Sequence, residues 1–95
     1  MLQVATTVDG RPALQGELDL SIVPALEAFL ADLDGNAQVD LSGVTFFDSS
    51  ALRTFLTIRR RNNHLRVVNP SKAVVKVLEI TATLDYLVDG HEVDQ

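Results

Sequence analysis

Leu2, Val4, Thr6 and Val8 recur at every second position, the spacing that lines side chains along one face of a strand. Asp9-Gly10 follows, a pair suited to a tight hairpin turn, so "RPALQGEL" is expected to return antiparallel. Pro12 lacks an N–H donor and suits the start or the edge of that second strand. The period then changes. Ile22, Leu26, Phe29, Leu30 and Leu33 form one helical stripe, with Ser21 as the expected N-cap, Pro24 in the first turn and Gly35 as the C-terminal cap. Ala37, Val39 and Leu41 return to period two and predict a short strand leading to "TFFDSS". From Ser49, the positions Ala51, Leu52, Phe55, Leu56 and Arg59 have helical spacing, ending at Asn62-Asn63. "HLRVVN" predicts another short strand. Asn69 and Pro70 open a third helix as cap and first residue, and Val74, Val77, Leu78 and Ile80 continue it.

"LDYLV" is expected as a short final strand, and residues 89–95, "DGHEVDQ", as a polar C-terminal tail. The order is β-β-α-β-α-β-α with at most one strand more. It predicts a single α/β domain over residues 1–95, with a mixed sheet of four to five strands and helices packed on it.

Composition agrees with an ordered globular chain: 46% of the 95 residues are hydrophobic and 22% charged. No apolar run approaches the roughly 20 residues a membrane span needs. "MLQVATTVDG" has no basic stretch and no cleavage-site pattern, so it reads as structure, and a cytoplasmic location is the expectation. Without cysteine there is no disulfide, thiolate or Cys-based zinc site, and the two histidines, His64 and His91, form no ligand-spaced cluster. Eight bases against 13 acids give a net charge of −5, which argues against direct nucleic-acid binding. The basic run Arg59 to Arg61 lies near a helix end, where cations complement the dipole.

Catalysis has little to work with. A serine nucleophile needs a base and a group to orient that base, yet "FFDSSAL" lacks the G-x-S-x-G elbow and nothing in the sequence places a histidine near Ser49. Phosphate-cradling glycine motifs and H-E-x-x-H are absent. Asp40 and Asp48 are the carboxylates that could hold Mg²⁺ at strand ends, but no lysine lies nearby to serve a transferring phosphoryl group. The expectation is a non-enzyme without cofactor or metal.

Asp48-Ser49-Ser50 stands where the apolar run gives way to helical spacing. One polar residue suffices to cap a helix, worth about 1 kcal/mol, so three exceed the structural need. A phosphate is tolerated at such a position, because the helix start carries partial positive charge and free N–H donors. Phosphorylation would add about −1.5 to −2 charges at pH 7 and act chiefly on a partner docked on the same surface.

"GELDLSIVPALEAFL" (Gly16 to Leu30), "VDLSGVTFFDSSAL" (Val39 to Leu52) and "LRVVNPSKAVVKVLEIT" (Leu65 to Thr81) together resemble the STAS domain, and among its members the bacterial anti-sigma factor antagonists. The resemblance implies a partner-switching regulator of transcription. The unphosphorylated protein would bind an anti-sigma factor that is also a serine/threonine kinase, freeing the sigma factor. The kinase would switch it off by phosphorylating the serine after the motif aspartate, here Ser49, and a phosphatase would reverse this. Partner contacts would fall on Asp19, Asp48, Ser50, Ala51 and Leu52, in a monomer or weak dimer. Asp19 reads equally as a solvated acid before the first helix, and Ser50 as a first-turn serine rather than a second target.

The sequence departs from the family pattern at two points. Ala51 replaces the glycine usual after the serine pair; it favours the helix, but its methyl would crowd a kinase that approaches the backbone closely. "TATL" at Thr81 to Leu84 replaces a common T-G-L, where a left-handed turn is less comfortable without glycine. A second reading is a constitutive STAS interaction subunit, for example of a lipid-transport ABC system. A third, a nucleotide- or apolar-ligand module, has no glycine cradle or aromatic pocket behind it, with only Tyr86 and four phenylalanines present.

Overall fold

Glycine at position 10 lets the chain reverse on itself. In the computed structural model, which describes residues 2–33, 37–62 and 64–88, Gly10 has φ 88° and donates its N–H to the Thr7 carbonyl at 3.0 Å. This turn pairs β1 (Gln3–Thr6) antiparallel with β2 (Pro12–Leu18). A 3-10 turn (Leu20–Ile22) and α1 (Val23–Ala31) then cross to β3 (Gln38–Phe47), which lies parallel to β2. A second crossover, α2 (Ser49–Arg61), leads to β4 (Arg66–Val68), parallel to β3. Two helices follow, α3 (Lys72–Ile80) and the four-residue α4 (Leu84–Leu87). The sheet is mixed, four-stranded and ordered β1-β2-β3-β4. Fold class and element order are those expected from the sequence.

Both parallel crossovers step the same way across the sheet. Right-handed connections therefore place α1 and α2 on one face, where they pack together. Leu14, Leu18, Val39, Leu41, Val44 and Phe47 of the sheet meet Leu26 and Leu30 of α1 and Leu52, Phe55 and Ile58 of α2 in one core. The rings of Phe47 and Phe55 tilt against each other with centroids 5.9 Å apart. Each such large side chain stabilises the fold by about 1.5–3 kcal/mol. Ala13, Asp40 and Val68 form a buried row in register, outside this core. Because Val39 and Leu41 face the helices, alternation turns that row to the other face.

Several local expectations are corrected. Val4 is exposed because β1 is an edge strand beyond the reach of the helical layer, and Val8 because it lies past the end of β1 in the hairpin turn. Ser21 does not cap α1: Asp19 caps the preceding 3-10 turn, and α1 begins at Val23 with Pro24 in its first turn. The strand predicted at Ala37 to Leu41 extends to Phe47, held in ladders on both sides. Asn69 is not the cap of α3. It sits in the left-handed region at φ 50°, and Ser71 caps instead, its hydroxyl accepting from Val74 N–H at 3.3 Å. "LDYLV" is helical at Leu84–Leu87, and Val88 alone makes an isolated parallel bridge, to Val67. Its Leu87 is wholly buried, so one helical turn serves the core better than a fifth strand would. The Gly35 cap, Asn63 and the 89–95 tail lie outside the described residues.

Candidate functional site

Two adjacent parallel strands end level with each other, and that alignment builds the site. Leu18 and Phe47 are register partners, and Asp48 N–H donates to Leu18 O at 3.3 Å. The residues that follow, Asp19 and Asp48, leave the sheet side by side. Alignment depends on β3 carrying an extra residue at each of two points, opposite Ala13–Gln15 and opposite Gly16–Glu17. Gly16, at φ 84°, stands at the second slip. Beyond it Phe47 enters the core while Phe46 remains 48% exposed.

Both aspartates do the same local work. Asp48 (φ −113°, ψ −177°) accepts on one carboxylate oxygen from Ser50 N–H at 2.9 Å and Ala51 N–H at 3.0 Å. Asp19 (φ −121°, ψ −174°) accepts from Ser21 N–H at 2.9 Å and from the Ser21 hydroxyl. The Ser21 hydroxyl and N–H hold the Asp19 carboxyl below the usual carboxylate range, so it is ionised at neutral pH. A shallow groove lined by Gln3, Gly16, Glu17, Asp19, Ser21 and Ile22 runs along the β2 side.

Ser49 occupies the first position of α2, is exposed, and its hydroxyl makes no hydrogen bond among the described residues. Ser50 is half-buried, with its N–H on Asp48 and its carbonyl accepting from the Thr54 hydroxyl at 3.0 Å. Ala51 and Leu52, expected on the partner surface, are buried in the core. The reason is helical phase: with Ser49 outward, the positions two and three residues on turn toward the sheet. The Ala51 methyl therefore crowds no approaching protein. Leu20, 70% exposed, and Phe46 were not singled out from sequence, because single apolar residues near strand ends look like core.

The groups that catalysis or metal binding would need do not gather at Ser49 among the described residues. His64 lies past the far end of α2, roughly 20 Å from Ser49 along a 13-residue helix, so it is no base for that hydroxyl. Asp40 and Asp48 do not converge on a cation. Asp48 is spent on its cap, and Asp40 accepts from Ser42 N–H at 2.8 Å, the Ser42 hydroxyl and Asn69 Nδ2 at 2.9 Å. No cluster of three or more histidine, aspartate or glutamate side chains suited to a metal occurs among the described residues. Among them, too, no helix is long and apolar enough to cross a membrane.

The family model described as "Mlab, STAS domain" matches residues 3–89. Two solved structures share the fold. One is the anti-sigma factor antagonist SpoIIAA in its unphosphorylated form, with a TM-score of 0.70 and 20% identity over 97% of this chain and 90% of that one. The other is a proposed anti-sigma factor antagonist from Thermotoga maritima, with a TM-score of 0.70 and 19% identity over 92% of this chain and 83% of that one. No curated protein matches the chain by sequence.

Proposed function

The chain belongs to the Mlab-type STAS domain family, and on that premise we propose that it is an anti-sigma factor antagonist switched by phosphorylation of Ser49. It binds an anti-sigma factor that is also a serine kinase, and so releases a sigma factor, in the cytoplasm and without catalysis of its own. The kinase transfers the γ-phosphoryl group of its own bound ATP to Ser49 Oγ. The new O–P bond replaces the bond to ADP, and the hydroxyl proton passes to the kinase. The dianion then repels the partner, and a phosphatase restores the hydroxyl.

The observation that carries this reading is the exposed Ser49, its hydroxyl without a hydrogen bond, directly after the Asp48 cap at the paired strand ends. Its hydroxyl is free for chemistry because Asp48 already caps α2. Leu20 and Phe46 supply apolar contact beside it, and Asp19 supplies charge. A second reading is a constitutive STAS interaction subunit, for example of a lipid-transport ABC system, which membership of a STAS family accommodates equally.

Intact-mass spectrometry and peptide mapping of protein from its native host separate the two. One added phosphate on the peptide containing Ser49, changing between growth and stress, is expected. Its absence under both conditions sinks the switch and favours the constitutive subunit, whose partner a pull-down would then identify.

A further inference from the structure

Half of the protein's eight bases lie on α2, which carries no aspartate or glutamate at all. Arg59, Arg60 and Arg61 occupy its last turn and complement the carbonyl end of the helix dipole. Arg53 has no such explanation. It lies in the second turn, where the dipole offers a cation nothing. It is exposed and, among the described residues, its guanidinium has neither an ion pair nor a hydrogen bond.

Four positions separate Ser49 from Arg53, so the two lie on one helix face with Cβ atoms about 5–6 Å apart. Helical side chains lean toward the N-terminus, which carries the Arg53 guanidinium back over the turn that Ser49 opens. An anion N-terminal to a cation at this spacing is also the favourable order. Two carboxylates stand close by: Asp48 immediately precedes Ser49, and Asp19 follows Leu18, the register partner of Phe47.

We propose that Arg53 is the internal counter-ion of phosphorylated Ser49. The guanidinium pairs with the phosphate oxygens across one helical turn and offsets the neighbouring carboxylates. The second ionisation of the phosphate is thereby favoured, and α2 stays folded when the switch is thrown. This rests on the reading of Ser49 as the modified residue.

The test installs phosphoserine at position 49 by genetic encoding, so that no kinase is needed. The second ionisation of the phosphate is then followed by ³¹P NMR at low salt, with Arg53 present and in Arg53→Gln. The pKa is expected to be lower with Arg53 by roughly 0.3 unit, a difference that disappears in concentrated salt. Equal values in the two proteins overturn the pairing. Should the phosphorylated Arg53→Gln protein not fold, a double-mutant cycle of Ser49→Glu and Arg53→Gln on the denaturation midpoint replaces it. Coupling between the two changes is expected, and strict additivity overturns the proposal. A host protein that never carries phosphate at Ser49 would instead overturn the switch, and the titration keeps the two failures apart.

Discussion

Ala82 and Asn69 both hold left-handed backbone, at φ 59° and 50°, and they meet its cost differently. Asn69 is a residue type that tolerates this region, and its amide also reaches Asp40 Oδ2. Ala82 is exposed and has only a methyl to offer. A non-glycine residue there costs about 1–2 kcal/mol, while glycine would add about 0.4–1 kcal/mol of unfolded-state entropy. Ala82→Gly should therefore stabilise the fold by about 0.5–1 kcal/mol, read as a higher urea midpoint at constant slope. Asp40 gives a pH prediction. Burial by itself would raise its pKa, but hydrogen bonds from Ser42 and Asn69, with the charge of Arg11, outweigh burial and lower it. A folded pKa below the unfolded value of about 3.9 means that this stabilisation is complete above that value and lost as pH falls through the folded pKa. Asp40→Asn should show a flatter stability profile below pH 4 than the unaltered protein. Parallel profiles would show that Asp40 is not the group responsible.

α2 begins in the same way as the turn after β2, with an aspartate in extended conformation accepting from the second following N–H. Asp48→Ala leaves two first-turn donors without their acceptor and should cost about 1 kcal/mol, up to about 2, whereas Asp48→Asn should retain most of the cap. Ser49→Ala, which removes an exposed hydroxyl without a hydrogen bond, should change stability by less than about 0.5 kcal/mol. Chemical denaturation of the three variants checks both statements together. An unfolded Ser49→Ala protein would make the serine structural and remove the case for a switch.

For the whole molecule, the proposed switch is a surface that changes charge while the fold stays constant. Ser49→Ala should bind the anti-sigma factor permanently, and Ser49→Asp should bind more weakly, short of the effect of a dianion. Calorimetric titration against the isolated partner measures both. Asp19→Ala should slow phosphorylation of Ser49, since it removes a charge from the strand end beside the target. Equal phosphorylation rates with and without the Asp19 carboxylate would exclude it from docking.

Periodicity alone was enough to locate the hairpin, the three main helices and the order of elements, because apolar spacing reports which face of an element leaves water. The Asp48-Ser49-Ser50 start of α2 was equally legible, since caps act within four residues of chain. Other features depended on partners far along the sequence. Asp19 beside Asp48 follows from a strand register set by two slips in β3, and the Asn69 conformation serves a bond to Asp40, 29 positions away. The burial of Ala51 and Leu52 follows from which face of α2 meets the sheet, and the helical form of Leu84–Leu87 from the core space that Leu87 fills. Sequence determined what each segment prefers by itself. Tertiary structure decided which residues stand together at the strand ends, because register and facing are settled only when distant surfaces compete for the same buried volume.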